Sequence, residues 1–340
     1  MKRRAILHIG TEKTGSSTLQ AFLAHNRAAL RKNGFCYPRF PGRRAHNALP
    51  VYAKRIERAD DLHRFLKVKS EADLARFRRS LRRTARLELL TTRAHTFIFS
   101  SEHLQSRLAH PDELQALKDF LEDFFTEVHV AVYLRRQDRV AVSRYSTDVK
   151  SGRTVRTLLP SDPATLSIYD YRLLLDRWAK VFGEHRVHPR ICEPADLVDG
   201  NVQADFQNVW QLGSGLQQVA NRNESLTPEA QEFLRVLNKH IPSVVDGEDN
   251  KMRKPVLGAL RQHFSGPGMR PKRSDAEAFL ARFEASNEAV RQRFFPDRPT
   301  LFDGDFEQYP EKPNLRLTFG DAVMVSATVF NSLYWSKYKS

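Results

Sequence analysis

Cysteine is scarce in this chain. Only Cys36 and Cys192 occur among 340 residues. They have none of the paired spacings of a metal site and give no support for a disulfide framework. No metal is expected, and a reducing cytoplasm fits this cysteine usage. Long apolar runs are also absent: no stretch of 18 apolar residues exists, which argues against a membrane span. The start, MKRRAILHIG, looks superficially like a secretory leader, but Gly10-Thr11-Glu12-Lys13 ends its apolar run after five residues. No internal repeat or low-complexity tract is present. Acidic residues are in deficit, with 40 Asp and Glu against 55 Lys and Arg, a net charge of +15. That balance suggests an anionic partner (a nucleotide, an acidic glycan, nucleic acid or a membrane surface) without choosing among them. A nucleic-acid-binding protein would rest on this charge and an arginine-rich helix alone. No recognition motif or aromatic RNA-binding signature accompanies them, so nucleic acid is not expected.

With 41% apolar and 28% charged residues the chain is globular, and its length suffices for one large or two modest domains. The most informative stretch is AILHIGTEKTGSSTLQ, residues 5–20. Ala5–Ile9 reads as a buried strand. Gly10 breaks it, Thr11–Gly15 forms a loop, and Leu19, Phe22 and Leu23 then set a helical period. Strand, glycine loop and hydroxyl-rich helix start make a phosphate cradle, because the free amides of the first turn and the helix dipole both favour an anion. A nucleotide triphosphatase loop reads G-x-x-x-x-G-K-[ST]. Gly10 and Gly15 have that spacing, but Ser16 stands where the lysine belongs, and the loop's lysine is Lys13.

Two further strands end in polar residues. His95–Ser101 runs into Ser100-Ser101-Glu102-His103, and Glu127–Leu134 runs into Arg135-Arg136-Gln137-Asp138-Arg139. In parallel α/β sheets such strand ends form the ligand rim. Arg135 and Ser143, eight residues apart, are spaced so that a guanidinium and a hydroxyl can meet on one phosphate, a task suited to arginine's planar fork.

The K-T-G-S-S loop after a first strand resembles the 5′-phosphosulfate loop of the PAPS-dependent sulfotransferases. Arg135 and Ser143 resemble their 3′-phosphate motif, R-x7-S after the third strand, although Gln137 stands where that motif usually has proline. Late segments, S-N-E-A-V-x-x-x-F-F and L-F-D, resemble bacterial carbohydrate-type members. The resemblance covers most of residues 1–305. It implies an α/β fold of three layers, a central parallel sheet flanked by helices in a P-loop-like sulfotransferase arrangement, with residues 1–310 as one domain and 311–340 as a tail with a helix. It further implies transfer of a sulfuryl group from PAPS to an acceptor hydroxyl, a glycan's foremost, releasing PAP. Lys13 would neutralise the bridging oxygen. Thr14, Gly15, Ser16, Ser17 and Thr18 would hold the 5′-phosphate, with Arg135 and Ser143 on the 3′-phosphate. The base would be Glu102 in preference to His103, with His46 a third candidate in the polar stretch Tyr37–Pro50. The fourth strand, His185–Cys192, ends in Cys192-Glu193 where the family commonly has tyrosine-glutamate, so no adenine-stacking role passes to Cys192. The competing expectation is a P-loop kinase or NTPase, and the missing post-glycine lysine argues against it.

Elsewhere, residues 16–33 read as one helix, residues 52–93 as arginine-rich helices with a solvated basic face or, alternatively, a docking surface for an anionic acceptor polymer, Pro111–Phe125 and Tyr169–Gly183 as amphipathic helices, and Gln203–Leu212 as a helix. Asn223–Ile241 is expected as a helix capped by Thr227 with Pro228 at its first position, and Ser274 is expected to cap a helix running to about Phe294. The polar loops Gly247–Lys254 and Ser265–Arg273 carry Lys251, Arg253, Lys254, Arg270, Lys272 and Arg273, either set suited to closing the 3′-phosphate site. Asp321–Tyr338 is an apolar helix suited to packing on the domain or to homo-oligomer formation.

Overall fold

The computed structural model describes residues 3–220, 225–245, 248–314 and 317–338. In chain order the elements are β1 (Arg4–His8), α1 (Ser16–His25), α2 (Arg27–Lys32), β2 (Phe35–Cys36), α3 (Ala48–Ala53), α4 (Asp61–Phe65), α5 (Glu71–Leu90), β3 (Thr96–Ser100), α6 (His103–Arg107), α7 (Pro111–Glu122) and β4 (Glu127–Leu134). There follow α8 (Gln137–Lys150), α9 (Pro163–Leu166), α10 (Tyr171–Phe182), β5 (Val187–Ile191), α11 (Val202–Val209), α12 (Pro228–His240), β6 (Val244–Val245), β7 (Glu248–Asp249), α13 (Arg253–His263), α14 (Arg273–Ala281), α15 (Glu284–Phe294) and α16 (Phe319–Tyr338). The chain divides into two compact units. The first comprises residues 1–135, 170–220 and 286–302, and the second residues 136–169, 221–285 and 303–340.

The first unit is built on a five-stranded sheet in the order β2-β3-β1-β4-β5, parallel throughout. Successive side chains of a strand point to opposite faces, and the core divides accordingly. Ala5, Leu7, Phe97, Phe99, Val128, Val130 and Val132 pack on one side with α3, α5, α7 and α10 residues such as Leu49, Leu81, Leu117 and Trp178. Ile6, Ile98, Ala131 and Tyr133 pack on the other with Leu19, Phe22 and Leu23 of α1, Leu30 of α2 and Phe206 of α11. Two covered faces make the three layers, and they explain why β1, β3 and β4 read as continuous apolar runs. Pro189, which donates nothing to a ladder, sits on the edge strand β5, where it is tolerated.

The sequence reading of one helix over 16–33 needs correction. Asn26 divides it into α1 and α2: its amide nitrogen donates to Phe22 O at 2.8 Å and to Gln217 O at 2.8 Å, while its side-chain oxygen accepts from Gln217 N at 2.8 Å. That bracket to a distant loop outweighs continued helix. The two-residue strand β2 carries no periodic signal and was not legible.

The second unit packs α8, α12, α13 and α16 around Tyr145, Val149, Leu234, Leu260, Val325 and Val329, with Tyr169, Phe279 and Phe283 in a neighbouring cluster. Arg136 is fully buried there. Its guanidinium donates two hydrogen bonds to the Asp138 carboxylate (2.9 and 3.0 Å), pairs with Asp303 at 2.6 Å and lies over the Phe306 ring at 4.2 Å. Thr227 and Pro228 take their expected places at the start of α12, but the threonine hydroxyl caps nothing. Ser274 is inside α14 rather than capping it, because the helix starts at Arg273, whose amide is taken by Pro310 O at 2.9 Å. The segment read as one helix to Phe294 is two, α14 and α15. Asn223 and Gly247, the expected starts of a helix and a loop, lie outside the described residues. Among the described residues no helix is long and apolar enough to cross a membrane.

One local feature of the first unit is out of the ordinary. Helix α4 ends in a Schellman motif, with Val68 N bonded to His63 O at 2.8 Å and Lys67 N to Arg64 O at 3.0 Å. Val68 is buried in a cluster with Leu62. The residue in the left-handed position, φ 59°, is Lys67 where glycine is usual. Lys67→Gly should therefore raise unfolding stability by about 1 kcal/mol, read as a higher urea midpoint at unchanged slope; an unchanged midpoint would show that this position stores no strain.

Candidate functional site

Strand β1 is the middle of the sheet, and its neighbours reach it from opposite directions of the chain's winding: β3 on one side and β4 on the other. The carboxyl end of such a strand is a topological switch point, where α/β sheets open a ligand crevice. Three segments of the first unit meet there. They are the loop Ile9–Gly15 after β1, Ser101–His103 after β3 and Arg135 after β4.

The loop is held by bonds to its own carbonyls and to β4. Ile9 N bonds Ala131 O at 3.0 Å, Tyr133 N bonds Gly10 O at 3.2 Å, and the Thr11 hydroxyl donates to Tyr133 O at 2.9 Å. The hydroxyls of Thr14 and Ser16 both donate to Thr11 O, at 2.7 and 3.2 Å. Gly10, Lys13 and Gly15 all have positive φ, at 92°, 69° and 81°. For Lys13 this is an uncommon backbone state that the surrounding bonds must impose. The first intrahelical bonds of α1 run from Thr18 N and Leu19 N to Gly15 O, at 3.0 and 2.9 Å. The amides of Gly15, Ser16 and Ser17 thus precede the helix ladder, at the positive end of its dipole and beside an exposed glycine. That arrangement can hold an anion through backbone donors. Among the hydroxyls, those of Thr14 and Ser16 donate within the loop itself.

Arg135 braces this loop: its guanidinium donates to Lys13 O at 3.0 Å, and its own carbonyl accepts from the Tyr171 hydroxyl. Cys192 does the same from β5's end, its thiol donating to Thr14 O at 3.5 Å. Burial pushes that thiol up to about 12, with Arg135 pulling the other way, so it serves as a neutral donor. Cys36 is likewise raised, to about 11, by burial first and by Glu88.

The base candidates separate clearly. A Cβ built on Gly10 would lie 3.0 Å from Glu102 Cα and 3.2 Å from its Cβ, so Glu102 stands directly over the loop's first glycine. Its carboxylate accepts from Gln20 Nε2 at 2.6 Å. Gln20 is buried on α1, one turn past the loop, and sequence reading missed it. His103 begins α6, with its amide on Ser101 Oγ at 3.3 Å and its Nδ1 buried without a partner among the described residues. His46 is occupied by the fold. Nδ1 accepts from Ser100 N at 3.2 Å, Nε2 donates to Pro38 O at 3.0 Å, and the ring stacks on Tyr37 at 4.3 Å. Both nitrogens are used, and burial drives its pKa to about 3.

Ser143 is on α8 in the second unit, half-buried. The basic residues expected to close a phosphate site are also there, and much of their charge is engaged. Arg253 is a buried member of α13 whose guanidinium donates to Lys150 O at 3.2 Å, Arg270 donates to Gln308 O, and Arg273 pairs with Glu311 at 3.4 Å. Arg253 and Lys254 belong to a helix, not to the expected loop. Of the arginines on α5, Arg78 and Arg82 are tied to Tyr52, while Arg76, Arg79, Arg83 and Arg86 form an exposed face. Among the described residues no group of three or more His, Cys, Asp or Glu is arranged to hold a metal ion.

Two predictions follow from this packing. Gly10→Ala must push against Glu102 and adopt a left-handed backbone, so it should lower stability by about 1–3 kcal/mol and loosen the loop; urea unfolding at full wild-type stability would refute the close approach. The second concerns pH. His8 is buried under the loop, its Nδ1 2.7 Å from Ser100 Oγ and its Nε2 without a partner among the described residues. Burial lowers its pKa from 6.5 to about 4, against the opposing pull of Glu102. In the unfolded chain His8 and His46 take protons near 6.5, but in the folded chain only near 4 and 3. The unfolded state therefore binds more protons in this window, and stability present above pH 6.5 is lost as pH falls towards 4, by on the order of 3 kcal/mol per histidine. His8→Gln should flatten that slope in urea titrations between pH 7 and 4.5; a wild-type profile with no slope there would contradict the burial of both rings.

Compared with known proteins, the chain matches no family model, no curated protein and no solved structure.

Proposed function

We propose that this chain is a sulfotransferase. It transfers a sulfuryl group from PAPS to a hydroxyl of an acceptor, a carbohydrate or polysaccharide, and releases PAP. The observation that carries the reading is the pairing of a displaced loop lysine with a carboxylate over the same loop. Lys13 stands two residues ahead of Gly15 instead of after it, and Glu102 packs on Gly10 with Gln20 bonded to its carboxylate at 2.6 Å. A kinase-type lysine serves the terminal phosphates from behind the second glycine. A lysine at the loop's mouth is suited instead to the bond between sulfur and the 5′-phosphate.

The amides of Gly15–Ser17 and the hydroxyls of Ser17 and Thr18 hold the 5′-phosphate. The acceptor oxygen gives its proton to Glu102 as it attacks sulfur. As the new S–O bond forms, the S–O bond to phosphate breaks, and its electron pair goes to the phosphate oxygen, where the Lys13 ammonium neutralises it. Proton transfer by a positioned carboxylate and fixed charges at the developing anion are the two contributions asked of the protein. Arg135 takes the 3′-phosphate as in the family motif while keeping the Lys13 carbonyl in place. The partner role of Ser143 rests on the sequence motif alone. His103 stands in reserve as base. The strand order and the glycine loop at the carboxyl end of β1 support a P-loop-like member of the three-layer α/β class.

The test is binding, then turnover. PAP should stabilise the protein against heat more than ADP does at equal concentration. With radiolabelled PAPS and glycan acceptors, Lys13→Ala and Glu102→Gln should each lower kcat by about 10²–10³-fold. Tight magnesium-ATP binding without preference for PAP would instead establish a kinase or NTPase, the reading favoured by the Gly10 and Gly15 spacing, and Lys13→Ala with full activity would remove Lys13 from the chemistry.

A further inference from the structure

We infer that the exposed surface of Arg64, Phe65, Lys67 and Lys69, joined to the Glu102 helix by the Asp61–Arg107 ion pair, docks an acidic polysaccharide as acceptor. This rests on the sulfotransfer reading and names the substrate class for it.

The patch lies wholly in the first unit. Phe65 is the last residue of α4 and is 77% exposed, an unusual position for a phenylalanine beside a well-packed core. Arg64, Lys67 and Lys69 surround it in sequence, and all three are exposed. Of the acids nearby, Asp60 pairs with Lys54 at 2.7 Å and His63 at 3.0 Å, and Asp73 accepts from the Ser70 hydroxyl at 2.9 Å and the Lys69 amide at 3.3 Å. Glu71 is exposed next to Lys69 and trims the charge without cancelling it.

Two observations turn this from a solvated corner into a recognition surface. One is Lys67 itself. The Schellman turn that ends α4 favours glycine at the left-handed position, and a lysine there puts a cation two residues along the chain from Phe65 at the expense of backbone strain. The other is connectivity. Asp61, in the first turn of α4, pairs with Arg107 at 3.0 Å. Arg107 ends α6, one turn after His103 and Glu102. A surface ion pair thus links the first turn of α4 to the last residue of α6, the short helix that the proposed base Glu102 precedes.

The chemistry of the patch matches a carboxylated or sulfated sugar chain. An exposed aromatic face stacks on the apolar face of a pyranose, and flanking cations meet ring substituents of negative charge. Duplex nucleic acid fits less well. Its affinity comes from neutralising many phosphates, and this surface offers three cations around a ring that a stacked duplex cannot reach. A neutral glycan would leave the three cations without a purpose.

The experiment uses the full chain and three probes: unsulfated chondroitin, neutral dextran of similar length and a duplex DNA oligonucleotide. Chondroitin should bind with a salt-dependent affinity, and dextran should not. Arg64→Ala combined with Lys69→Ala should weaken chondroitin at least tenfold and reduce the salt dependence. Phe65→Ala should weaken it severalfold with the salt dependence intact. Lys67→Gly should weaken it while raising the melting temperature, a combination that damage to the fold cannot produce. PAP stabilisation should be the same in every variant. Chondroitin binding unaffected by Phe65→Ala and the double variant, or duplex DNA binding as tightly as chondroitin through the same residues, overturns the docking surface whatever PAP does. A wild-type protein that PAP fails to stabilise overturns the reaction, and with it the acceptor role, even where chondroitin binding persists.

Discussion

The hydrogen-bonded placement of β1 between β3 and β4 is the constraint on which the rest of the first unit depends. Both edges of β1 are used along Arg4–His8, in register with Thr96–Ser100 on one side and Glu127–Ala131 on the other. With its backbone satisfied on both sides and its faces covered by helices, β1 cannot shift by one residue without turning Ile6 and Leu7 to the wrong layers. The loop that follows inherits that fixity. Its first residues continue the ladder to Ala131 and Tyr133 before the chain turns into α1.

The loop's polarity is divided between construction and binding. Thr11, Thr14 and Ser16 are buried and spend their hydroxyl protons on backbone carbonyls. Arg135 and Cys192 spend theirs on the carbonyls of Lys13 and Thr14. The amides of Gly15, Ser16 and Ser17 stand ahead of the helix ladder, at the positive end of the α1 dipole. Beneath them, His8 and His46 are buried as neutral rings. Burial keeps these two rings uncharged beside the loop's Lys13 and the Arg135 that braces it.

Much of this was legible in the chain. The strands Glu127–Leu134 and, to within a residue, Ala5–Ile9 and His95–Ser101 were set by apolar runs bounded by polar rims. Pro189 lies on the edge strand β5, and Gly183 ends α10 at φ 91°. What failed to show was governed by partners far away in sequence. Asn26 splits a helix because Gln217 brackets it, 191 residues on. Ser274 lies within a helix because Pro310 takes the amide of the residue before it. Gln20 carries no local mark of its role, since Glu102 lies 82 residues away. His46 looked like an acceptor-site residue because a polar loop surrounds it; its burial against Tyr37 and the backbone of Ser100 is invisible to any local pattern.

The sequence by itself determined a parallel α/β sheet, a glycine loop between a strand and a helix with its lysine in the wrong place for a triphosphatase, and polar residues at two further strand ends. These are short-range properties, because hydropathy period, glycine placement and helix starts are decided within a few residues. The tertiary structure alone decided that Glu102 stands over Gly10 with Gln20 on its carboxylate, that Arg135 bonds the loop it follows by 122 residues, and that α4 is tied to α6. Each of these depends on bringing together segments whose separation along the chain holds no periodic trace, and only the shared packing on β1 supplies the free energy that holds them there.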